Sequence, residues 1–366
     1  MSEAGITAPA APLPRPIEPR LLAALACRNA GRPPVWFMRQ AGRYHRHYQA
    51  LRARHDFIDL CRDPALATEV TLGPIEDFGF DAAILFSDLL FPLEAMGMGL
   101  RYAPGPQLDW HLRETADLAR LKGGAARAEH MNFQARAIER LRAQLPADTG
   151  LIGFVGAPFT LYAYATAGSH EGFARGSLNG LDSGLYEGFN ERLCELLAGN
   201  MALQARAGAD CVAVFDTAAG TLNPAQFALH AAAPLAAVLR SFRAQCPQTP
   251  VIYYSRDTGP GHWEALRGLD LQCLGVDWRH DPVEVLRAQR DRGLQARSVQ
   301  GNIDPQWLLL EAAQLEPRLR DYFSRLLAAP ASLRSGWVCG LGHGVLQTTP
   351  ESNVRLALAV QREMFA

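Results

Sequence analysis

The 366-residue sequence has no Cys-x-x-Cys pair, and its seven cysteines are scattered along the chain. An odd, dispersed set of cysteines within apolar segments indicates reduced thiols in a protein core, which favours a cytoplasmic location. The closest approach to metal-ligand spacing is Cys339 with His343, and the residues between them include Gly340 and Gly342. Glycine is a poor helix former, so the cysteines give metal binding little support.

The chain also lacks a long hydrophobic run and a strong net charge. No segment approaches the roughly eighteen consecutive apolar residues that a membrane span requires. The net charge is −1, so no overall basic field would attract nucleic acid. Residues 1–19 are rich in Ala and Pro and lack the basic start and apolar stretch of a secretory signal, which predicts a disordered tail. We expect neither nucleic acid nor a membrane as a partner.

What the sequence does contain is a regular alternation of short apolar runs and longer helical patterns. A hydrophobic fraction of 48% and a charged fraction of 20% are typical of a globular protein with a sizeable core. No repeat or low-complexity linker divides the chain, so we predict one domain over residues 20–366. The predicted strands are Val35–Met38, Ala82–Phe86, Leu151–Val155, Cys211–Phe215, Val251–Tyr254, Cys273–Val276, Arg297–Gln300 and Trp337–Cys339.

Several helices are expected to begin at a capping residue followed by proline, because neither group wastes a helical hydrogen bond. These starts are Asp63-Pro64, Asn223-Pro224, Asp281-Pro282, Asp304-Pro305 and Thr349-Pro350. Eight strands with helical crossovers predict an α/β fold, a single (β/α)8 TIM-type barrel, better than two doubly wound domains. The long stretches Leu89–Leu145 and Ala167–Ala207 are expected to carry extra helices around the mouth.

In such a barrel the carboxyl ends of all strands contribute to one shared site. Polar residues follow nearly every predicted strand, although some polarity is expected of any loop. They are Arg39 and Arg43, Ser87 and Asp88, the Tyr162–Tyr164 region, Asp216 and Thr217, Ser255 and Arg256, Asp277, Asn302 and His343.

Arg39 and Arg43 are the most informative members of this set, because they lie four residues apart directly after the apolar run Val35–Met38. Each guanidinium can bind a carboxylate or phosphate through two parallel hydrogen bonds, and burying it without an anion would be costly. The spacing therefore indicates a pocket for a polyanionic ligand. The alternative is that both arginines pair with Asp or Glu of the protein itself.

Asp88 ends the very apolar run that begins at Ala82, so its carboxylate either has a function or caps the following backbone. The next residues, Leu89 to Pro92, do not resemble a helix start, and this favours function.

The other candidates each have a structural alternative. Tyr164 could hydrogen-bond a ligand or be packing, and Thr217 could be a local backbone cap. The glycine-rich turn around His343 could bind an anion or be structural. Asp304 is most simply the cap before Pro305. The basic cluster is expected to be a solvated face, and it comprises His45, Arg46, His47, Arg52 and Arg54.

Taken together, these segments resemble the uroporphyrinogen decarboxylase family of haem biosynthesis, in family order and over nearly everything from about residue 20 onward. The Arg39–Arg43 and Phe86–Asp88 segments are the most specific. The matching segments are Pro34–Tyr44, Ala82–Asp88, Gly153–Thr160, Phe215–Thr217 with Ala219-Gly220, Gly275–Trp278, Gln300–Pro305 and Leu341–Gly344.

The resemblance implies a cytoplasmic (β/α)8 enzyme, usually a homodimer, that uses neither metal nor organic cofactor. Its expected reaction removes carbon dioxide from the four acetate side chains of uroporphyrinogen and leaves the methyl groups of coproporphyrinogen. Asp88 and Arg39 are the implied catalytic residues, with a relayed water as an alternative proton source to Arg39. The implied substrate-binding residues are Arg39, Gln40, Arg43, Asp88, Tyr164, Thr217 and His343.

The sequence departs from the family pattern at His45-Arg46-His47, where Leu-Pro-Glu is usual, and at Thr217, where serine is usual. Two rival functions remain. A corrinoid-type methyltransferase would share the fold but hold zinc through a His-x-Cys pair, and the sequence has none. A catalytically idle porphyrinogen-binding protein would keep the arginines but has no need of Asp88.

Overall fold

The structure is a computed structural model, and it describes residues 17–102, 105–168, 178, 180–290 and 298–366. The predicted disordered tail, residues 1–19, lies outside the described residues except for its last three positions, so it stays a prediction.

Seven parallel strands form one sheet in the order β1-β4-β5-β6-β7-β8-β9. Their sequential order is that of an α/β fold in which each strand is added beside the one before it. The predicted strands from Ala82 to Cys339 are therefore confirmed, with ends shifted by one or two residues; Arg297 lies outside the described residues. The strands are β1 Ala82–Ile84, β4 Gly150–Gly156, β5 Cys211–Asp216, β6 Val251–Ser255, β7 Cys273–Gly275, β8 Ser298–Gln300 and β9 Trp337–Val338.

The first predicted strand, Val35–Met38, is not a strand in the structure, and only Val35 forms a parallel bridge, to Cys339. The Val35 carbonyl accepts a hydrogen bond from the Asp81 amide at 2.9 Å, on the side of β1. Val35 thus lies between the last and first strands of the sheet. The ladder stops because the chain turns at once, and the Phe37 carbonyl accepts from the Gln40 amide at 3.0 Å.

The insert between β1 and β4 contains more than the predicted helices. It includes a two-residue antiparallel hairpin, β2 Arg101–Tyr102 with β3 Pro106–Gln107, and 3₁₀ turns at Thr115–Arg120 and Ala125–Met131. The other long stretch carries one helix of 22 residues, Leu185–Arg206, and residues 169–177 and 179 before it are outside the described part.

Helices connect the strands. They are α1 Arg20–Leu25, α2 Arg46–Arg52, α3 Phe57–Arg62, α4 Pro64–Phe78, α5 Phe91–Ala95, α6 Asn132–Gln144, α7 Pro158–Ala167, α8 Leu185–Arg206, α9 Pro224–Phe227, α10 Ala233–Gln245, α11 Pro260–Trp263, α12 Pro282–Arg290, α13 Ala312–Ala328, α14 Ala331–Arg334 and α15 Glu351–Met364. One π-helical turn, Ala228–Ala232, lies between α9 and α10, and further 3₁₀ turns are Ala219–Thr221, Glu264–Leu266 and Pro305–Leu309.

Side chains of the strands alternate between two buried clusters, as a period of two requires. In β5, Ala213 and Phe215 join the inner cluster, whereas Val212 and Val214 face the helices. Leu21 of α1 also belongs to the inner cluster and packs at Gly150, the first residue of β4. None of the seven cysteines, all of which lie in the described ranges, forms a disulfide bond, and five are buried. Among the helices described, none has the length and apolar character needed to traverse a lipid bilayer.

Candidate active site

The loop that carries Arg39 is fixed by the buried side chain of Gln40. The Gln40 amide nitrogen donates to the Ala82 carbonyl at 3.1 Å, and its oxygen accepts from the Phe37 amide at 3.3 Å. The Tyr44 hydroxyl donates to the Gln40 carbonyl at 2.7 Å. Because protein groups occupy both ends of the Gln40 amide, this side chain supports the loop and is not brought to the cavity with the other predicted binding residues.

Both arginines of this loop are exposed, and neither forms an ion pair with any residue that the structure describes. Arg39 adopts a left-handed conformation, with φ at 62°, which is uncommon for a residue with a side chain. Such strain is typical of functional sites when the surroundings hold it in place. Among the described residues, neither arginine pairs with one of the protein's own carboxylates, and this favours the other alternative, an open cationic surface.

Asp88 lies deep in the protein yet keeps part of its surface accessible, as a group on the floor of a cavity does. One carboxylate oxygen accepts from the Leu90 amide at 2.8 Å, so the capping alternative is correct for that oxygen. Burial raises the pKa of Asp88, while the Leu90 amide, the Tyr102 hydroxyl and the charge of Arg39 act in the opposite direction. Asp88 forms no ion pair within the described ranges, and Arg39 is the cation that acts on it.

Tyr164, on α7, lies within the electrostatic influence of Asp88 and Arg39. Its side chain is buried, and burial together with the negative charge of Asp88 raises its pKa, whereas Arg39 lowers it. The phenol therefore stays protonated and can donate a hydrogen bond to an anion. The structure brings Tyr164, Asp88 and Arg39 together, as the sequence predicted.

The turn after β9 joins this group through His343. The Tyr254 hydroxyl donates to the Gly342 carbonyl at 2.9 Å and lies 3.2 Å from His343 Nδ1, and the two rings stack at 6.1 Å. Gly344 packs directly on the side chain of Arg39. His343 is half-buried, held by Tyr254 and adjacent to the arginine that faces Asp88.

Thr217 follows Asp216 at the end of β5, half-buried, and its hydroxyl is bonded to no residue within the described ranges. The predicted alternative of a local cap is therefore wrong. Asp216 itself is buried and accepts from the Thr160 hydroxyl at 2.7 Å and the Tyr253 hydroxyl at 2.8 Å. Burial raises the pKa of Asp216 to about 6, against the effect of these two donors. Asp216 thus anchors the strand end from which Thr217 projects.

Other polar residues of the predicted rim are bonded to one another. The Ser87 hydroxyl accepts from Gln134 at 2.9 Å, and Ser255 bonds Thr258 at 2.7 Å. The Asn302 side chain donates to two backbone carbonyls, those of Asp277 and His280, each at 2.7 Å. Ion pairs at this rim include Arg279 with Asp277 at 2.8 Å, Arg256 with Asp257 at 3.2 Å and Arg279 with Asp257 at 3.7 Å.

The predicted solvated basic face is wrong for His45. Its ring is fully buried, bonds Asp77 at 2.7 Å through Nε2 and packs 5.0 Å from Phe78. Burial lowers the pKa of His45, with Asp77 opposing that effect. Arg46, Arg52 and Arg54 are exposed, as predicted.

Sequence reasoning did not identify Tyr102 or Tyr254 as part of the site. Tyr254 falls within a predicted strand, and period-two alternation could have pointed it inward with Ile252. Tyr102 reaches Asp88 from the hairpin of the insert, and no local pattern indicated that hairpin. Within the described ranges, no group of three or more His, Cys, Asp or Glu side chains is arranged to hold a metal ion.

The assembled site combines one enclosed carboxylate with cationic and hydroxyl groups around it. In the inner cluster the ring of Phe215 lies 5.7 Å from that of Phe154 and 6.2 Å from that of Tyr254, which contacts His343. This arrangement suits a ligand that carries both acidic groups and hydrogen-bond donors.

Comparison with known proteins agrees with this geometry. The family model described as uroporphyrinogen decarboxylase (URO-D) matches residues 17–364. A uroporphyrinogen decarboxylase from Chloroflexus aurantiacus (strain ATCC 29366 / DSM 635 / J-10-fl) is 37% identical over 338 residues, covering 90% of this chain and 92% of the relative. One from Roseiflexus sp. (strain RS-1) is 36% identical over 343 residues, covering 92% and 95%. A solved methyltransferase from Methanosarcina mazei superposes with a TM-score of 0.72 over 95% of this chain and 98% of its own, at 19% identity, which shows the fold alone.

Proposed function

The chain belongs to the uroporphyrinogen decarboxylase family, and from that membership we propose how its site carries out the reaction. The chain is a carboxy-lyase that decarboxylates the four acetate side chains of uroporphyrinogen III to give coproporphyrinogen III in porphyrin and haem biosynthesis. The observation that carries our proposal is the enclosed, partly accessible carboxylate of Asp88 beside the unpaired guanidinium of Arg39.

Asp88 accepts hydrogen bonds from the pyrrole N–H groups that converge at the centre of the macrocycle. One of its oxygens is held by the Leu90 amide at 2.8 Å, which fixes the direction of the other. A fixed negative charge at that point stabilises positive charge that develops on a ring during the reaction, and such preorganised electrostatics supply large rate effects.

The side-chain carboxylates of the substrate bind to the groups around Asp88. Arg39 and Arg43 offer bidentate contacts, because no carboxylate of the described protein occupies them. Tyr164, Thr217 and His343 add hydrogen bonds from other sides of the cavity. Gln40 contributes indirectly, by holding the loop of Arg39.

The substrate serves as its own electron acceptor, so the proposal requires neither a metal nor an organic cofactor. A proton added to a pyrrole carbon makes the ring cationic, and the electron pair of the breaking C–C bond neutralises it as CO2 leaves. A second proton then converts the exocyclic carbon to a methyl group, and the ring loses the first proton. Arg39 directs the proton, through a water molecule, because a guanidinium is a very weak acid.

For the architecture we propose a single catalytic domain, residues 20–366, in which the Val35 segment takes the eighth position of a (β/α)8 barrel and the two inserts cover its mouth. The parallel bridge of Val35 to Cys339 supports this closure. The cysteines of the described ranges, which are present as thiols, support a cytoplasmic location. We further propose a homodimer with no nucleic-acid or membrane partner.

The test is incubation with uroporphyrinogen followed by chromatography of the oxidised porphyrins, comparing the native chain with Asp88→Asn. An asparagine oxygen keeps the acceptor for the Leu90 amide, so this change isolates the charge. We expect kcat to fall at least about 100-fold while the thermal unfolding temperature is kept or raised. Asp304→Asn is the matched control, because the Asp304 carboxylate caps the Gln306 amide and is not a proposed site residue, and it should retain turnover.

The products separate the rival functions. Porphyrins with seven to four carboxyl groups support the proposal, and near-normal turnover by Asp88→Asn would refute the central-carboxylate role. If the native chain binds uroporphyrinogen without converting it, the idle binding protein is correct. Stoichiometric zinc in the purified protein would instead favour the methyltransferase.

A further inference from the structure

The hairpin β2–β3 carries one side chain, Tyr102, that acts on Asp88. Tyr102 pairs with Pro106 across the hairpin, and its ring lies 4.6 Å from that of Phe57 on α3. Phe57 in turn contacts Phe86 at 5.7 Å, two residues before Asp88. An aromatic chain therefore connects the hairpin to the strand end that carries the central carboxylate.

The hydroxyl of Tyr102 is buried, and within the described ranges no group meets hydrogen-bond geometry with it. The hydroxyl and the Asp88 carboxylate nevertheless influence each other, because Tyr102 lowers the pKa of Asp88 and the charge of Asp88 raises the pKa of Tyr102. A buried hydroxyl without a partner is costly, and one hydrogen bond to an ionised group is among the stronger neutral-to-charged contacts. One Asp88 oxygen already accepts from the Leu90 amide, which leaves acceptor capacity on the carboxylate for a second protein donor.

We propose that Tyr102 is a positioning residue for the reaction, which donates its hydroxyl to Asp88 and holds that carboxylate ionised and directed at the centre of the macrocycle. This proposal rests on the function given above. The tyrosine acts through Asp88 and touches no reacting atom, and it comes from the insert and not from a strand of the main sheet.

The electrostatics of the cavity agree in direction. The groups that face Asp88 are Arg39 from the first loop, Cys61 from α3, Tyr164 from α7 and Tyr102 from the hairpin. Burial raises the pKa of Asp88, and Tyr102 opposes that rise. Burial and the charge of Asp88 raise the pKa of Tyr102, so its hydroxyl remains a donor throughout the working range.

The experiment compares the pH dependence of kcat/KM for the native enzyme, Tyr102→Phe and Tyr48→Phe, with uroporphyrinogen as the substrate. Tyr48 is the matched control, because its ring lies 5.5 Å from Phe86 in the same aromatic group, while Arg52 is the charged group with the largest effect on the pKa of its hydroxyl. Loss of a hydrogen-bond donor to Asp88 should move the acid limb of the kcat/KM pH profile of Tyr102→Phe to higher pH. The expected shift is about one unit, which corresponds to ~1.4 kcal/mol. The acid limb of Tyr48→Phe should not move.

A second replacement changes the donor without removing it. Site-specific 3-fluorotyrosine at position 102 keeps the ring and hydroxyl but donates more strongly, so the acid limb should move to lower pH. Ionisation of the substrate's own carboxylates affects all variants equally and cancels in the comparison. Opposite shifts for phenylalanine and fluorotyrosine support the proposal.

The proposal is overturned if the acid limb is unchanged in both replacements at position 102, even if kcat falls. It is also overturned if Tyr102→Phe and Tyr48→Phe shift the acid limb equally. These results leave the proposed function intact, provided that the native enzyme still forms the seven- to four-carboxyl products. Absence of those products from the native enzyme is the separate result that refutes the function.

Discussion

Close packing around single residues decides where the cationic groups of the site can point. A Cβ atom at Gly344 would lie 2.4 Å from Cδ and 2.8 Å from Cγ of Arg39, closer than real Cβ atoms approach other heavy atoms. A Cβ at Gly342 would lie 2.4 Å from the Trp278 backbone nitrogen. Glycine is therefore required at both positions by close packing. Gly344 leaves room for the side chain of Arg39, and Gly342 lets the turn approach the backbone at Trp278.

Gly344→Ala should displace Arg39 without changing any charge. Because Arg39 is a flexible side chain, we expect the fold to persist while the KM for uroporphyrinogen rises about tenfold, as loss of one charge-assisted contact would produce. The measurement is steady-state kinetics with a thermal unfolding curve for each variant.

Gly31→Ala is the control for that change, since its added methyl group meets only the end of the Arg20 side chain at 3.1 Å. Normal KM in Gly31→Ala with raised KM in Gly344→Ala supports the packing role. Equal KM values in all three proteins would show that the guanidinium of Arg39 does not depend on Gly344.

Residue identities near strand ends were predictable because charge after an apolar run is locally visible. Arg39 and Asp88 were singled out in this way, and Tyr164 and His343 as polar residues that follow predicted strands. The orientation of a side chain was less predictable. Nothing in the local sequence distinguishes Gln40, whose amide points into the protein, from Arg39 beside it. The burial of His45 is likewise not visible locally, because its hydrogen-bond partner, Asp77, lies on α4.

At the scale of elements, the helix starts follow the chemistry of their first residues. The Asp63 carboxylate accepts from the amides of Ala65 and Leu66, at 2.7 and 3.3 Å, and caps α4. Asn223, Asp281 and Asp304 cap their segments in the same way, as predicted. The prediction for Thr349 is wrong, because α15 begins at Glu351 and the Thr349 hydroxyl is buried, with no partner in the described ranges.

Asp63→Ala and Thr349→Val should therefore affect stability in opposite ways. Loss of the two capping bonds should lower the free energy of unfolding by about 1 kcal/mol. Valine at position 349 removes an unsatisfied buried hydroxyl and keeps the shape, so stability should be unchanged or higher. Urea unfolding of both variants measures the difference, and neither should alter kcat. A loss of about 1 kcal/mol in Thr349→Val would mean that its hydroxyl has a partner after all.

Element boundaries failed where tertiary contacts override the local pattern. Val35–Met38 reads as a strand from its apolar residues, yet the structure ends its ladder after Val35 because the chain must turn to present Arg39. The hairpin β2–β3 is only two residues per strand, too short for a periodicity signal, although it carries Tyr102 into the site.

At the scale of the whole molecule, the order of strands was predictable, because alternating strand and helix patterns leave few topologies. How the ends of the sheet meet was not. The Asp81 carboxylate accepts from Arg32 at 2.6 and 2.9 Å and from the Val35 amide at 2.8 Å. Arg32 also bonds Gln361 of α15 at 3.1 Å, so one mostly buried ion pair connects the first segment, β1 and the last helix. These contacts are far apart in sequence, and no local pattern reveals them.

Asp81→Asn should weaken this closure, because it leaves the Arg32 guanidinium only 18% exposed and without its anion. We expect a loss of about 3 kcal/mol in the free energy of unfolding, or roughly 4 °C in Tm for a chain of this size. If residues 20–366 are one domain, the unfolding transition of Asp81→Asn remains a single step at a lower temperature. Its kcat/KM should then fall only at temperatures near Tm.

Glu284→Gln is the control, in an ion pair whose side chains are 52% and 68% exposed, and it should shift Tm by less than about 1 °C. Two separate transitions in Asp81→Asn, with only one of them displaced, would instead mean that the chain unfolds as two units and that closure at Asp81 stabilises just one.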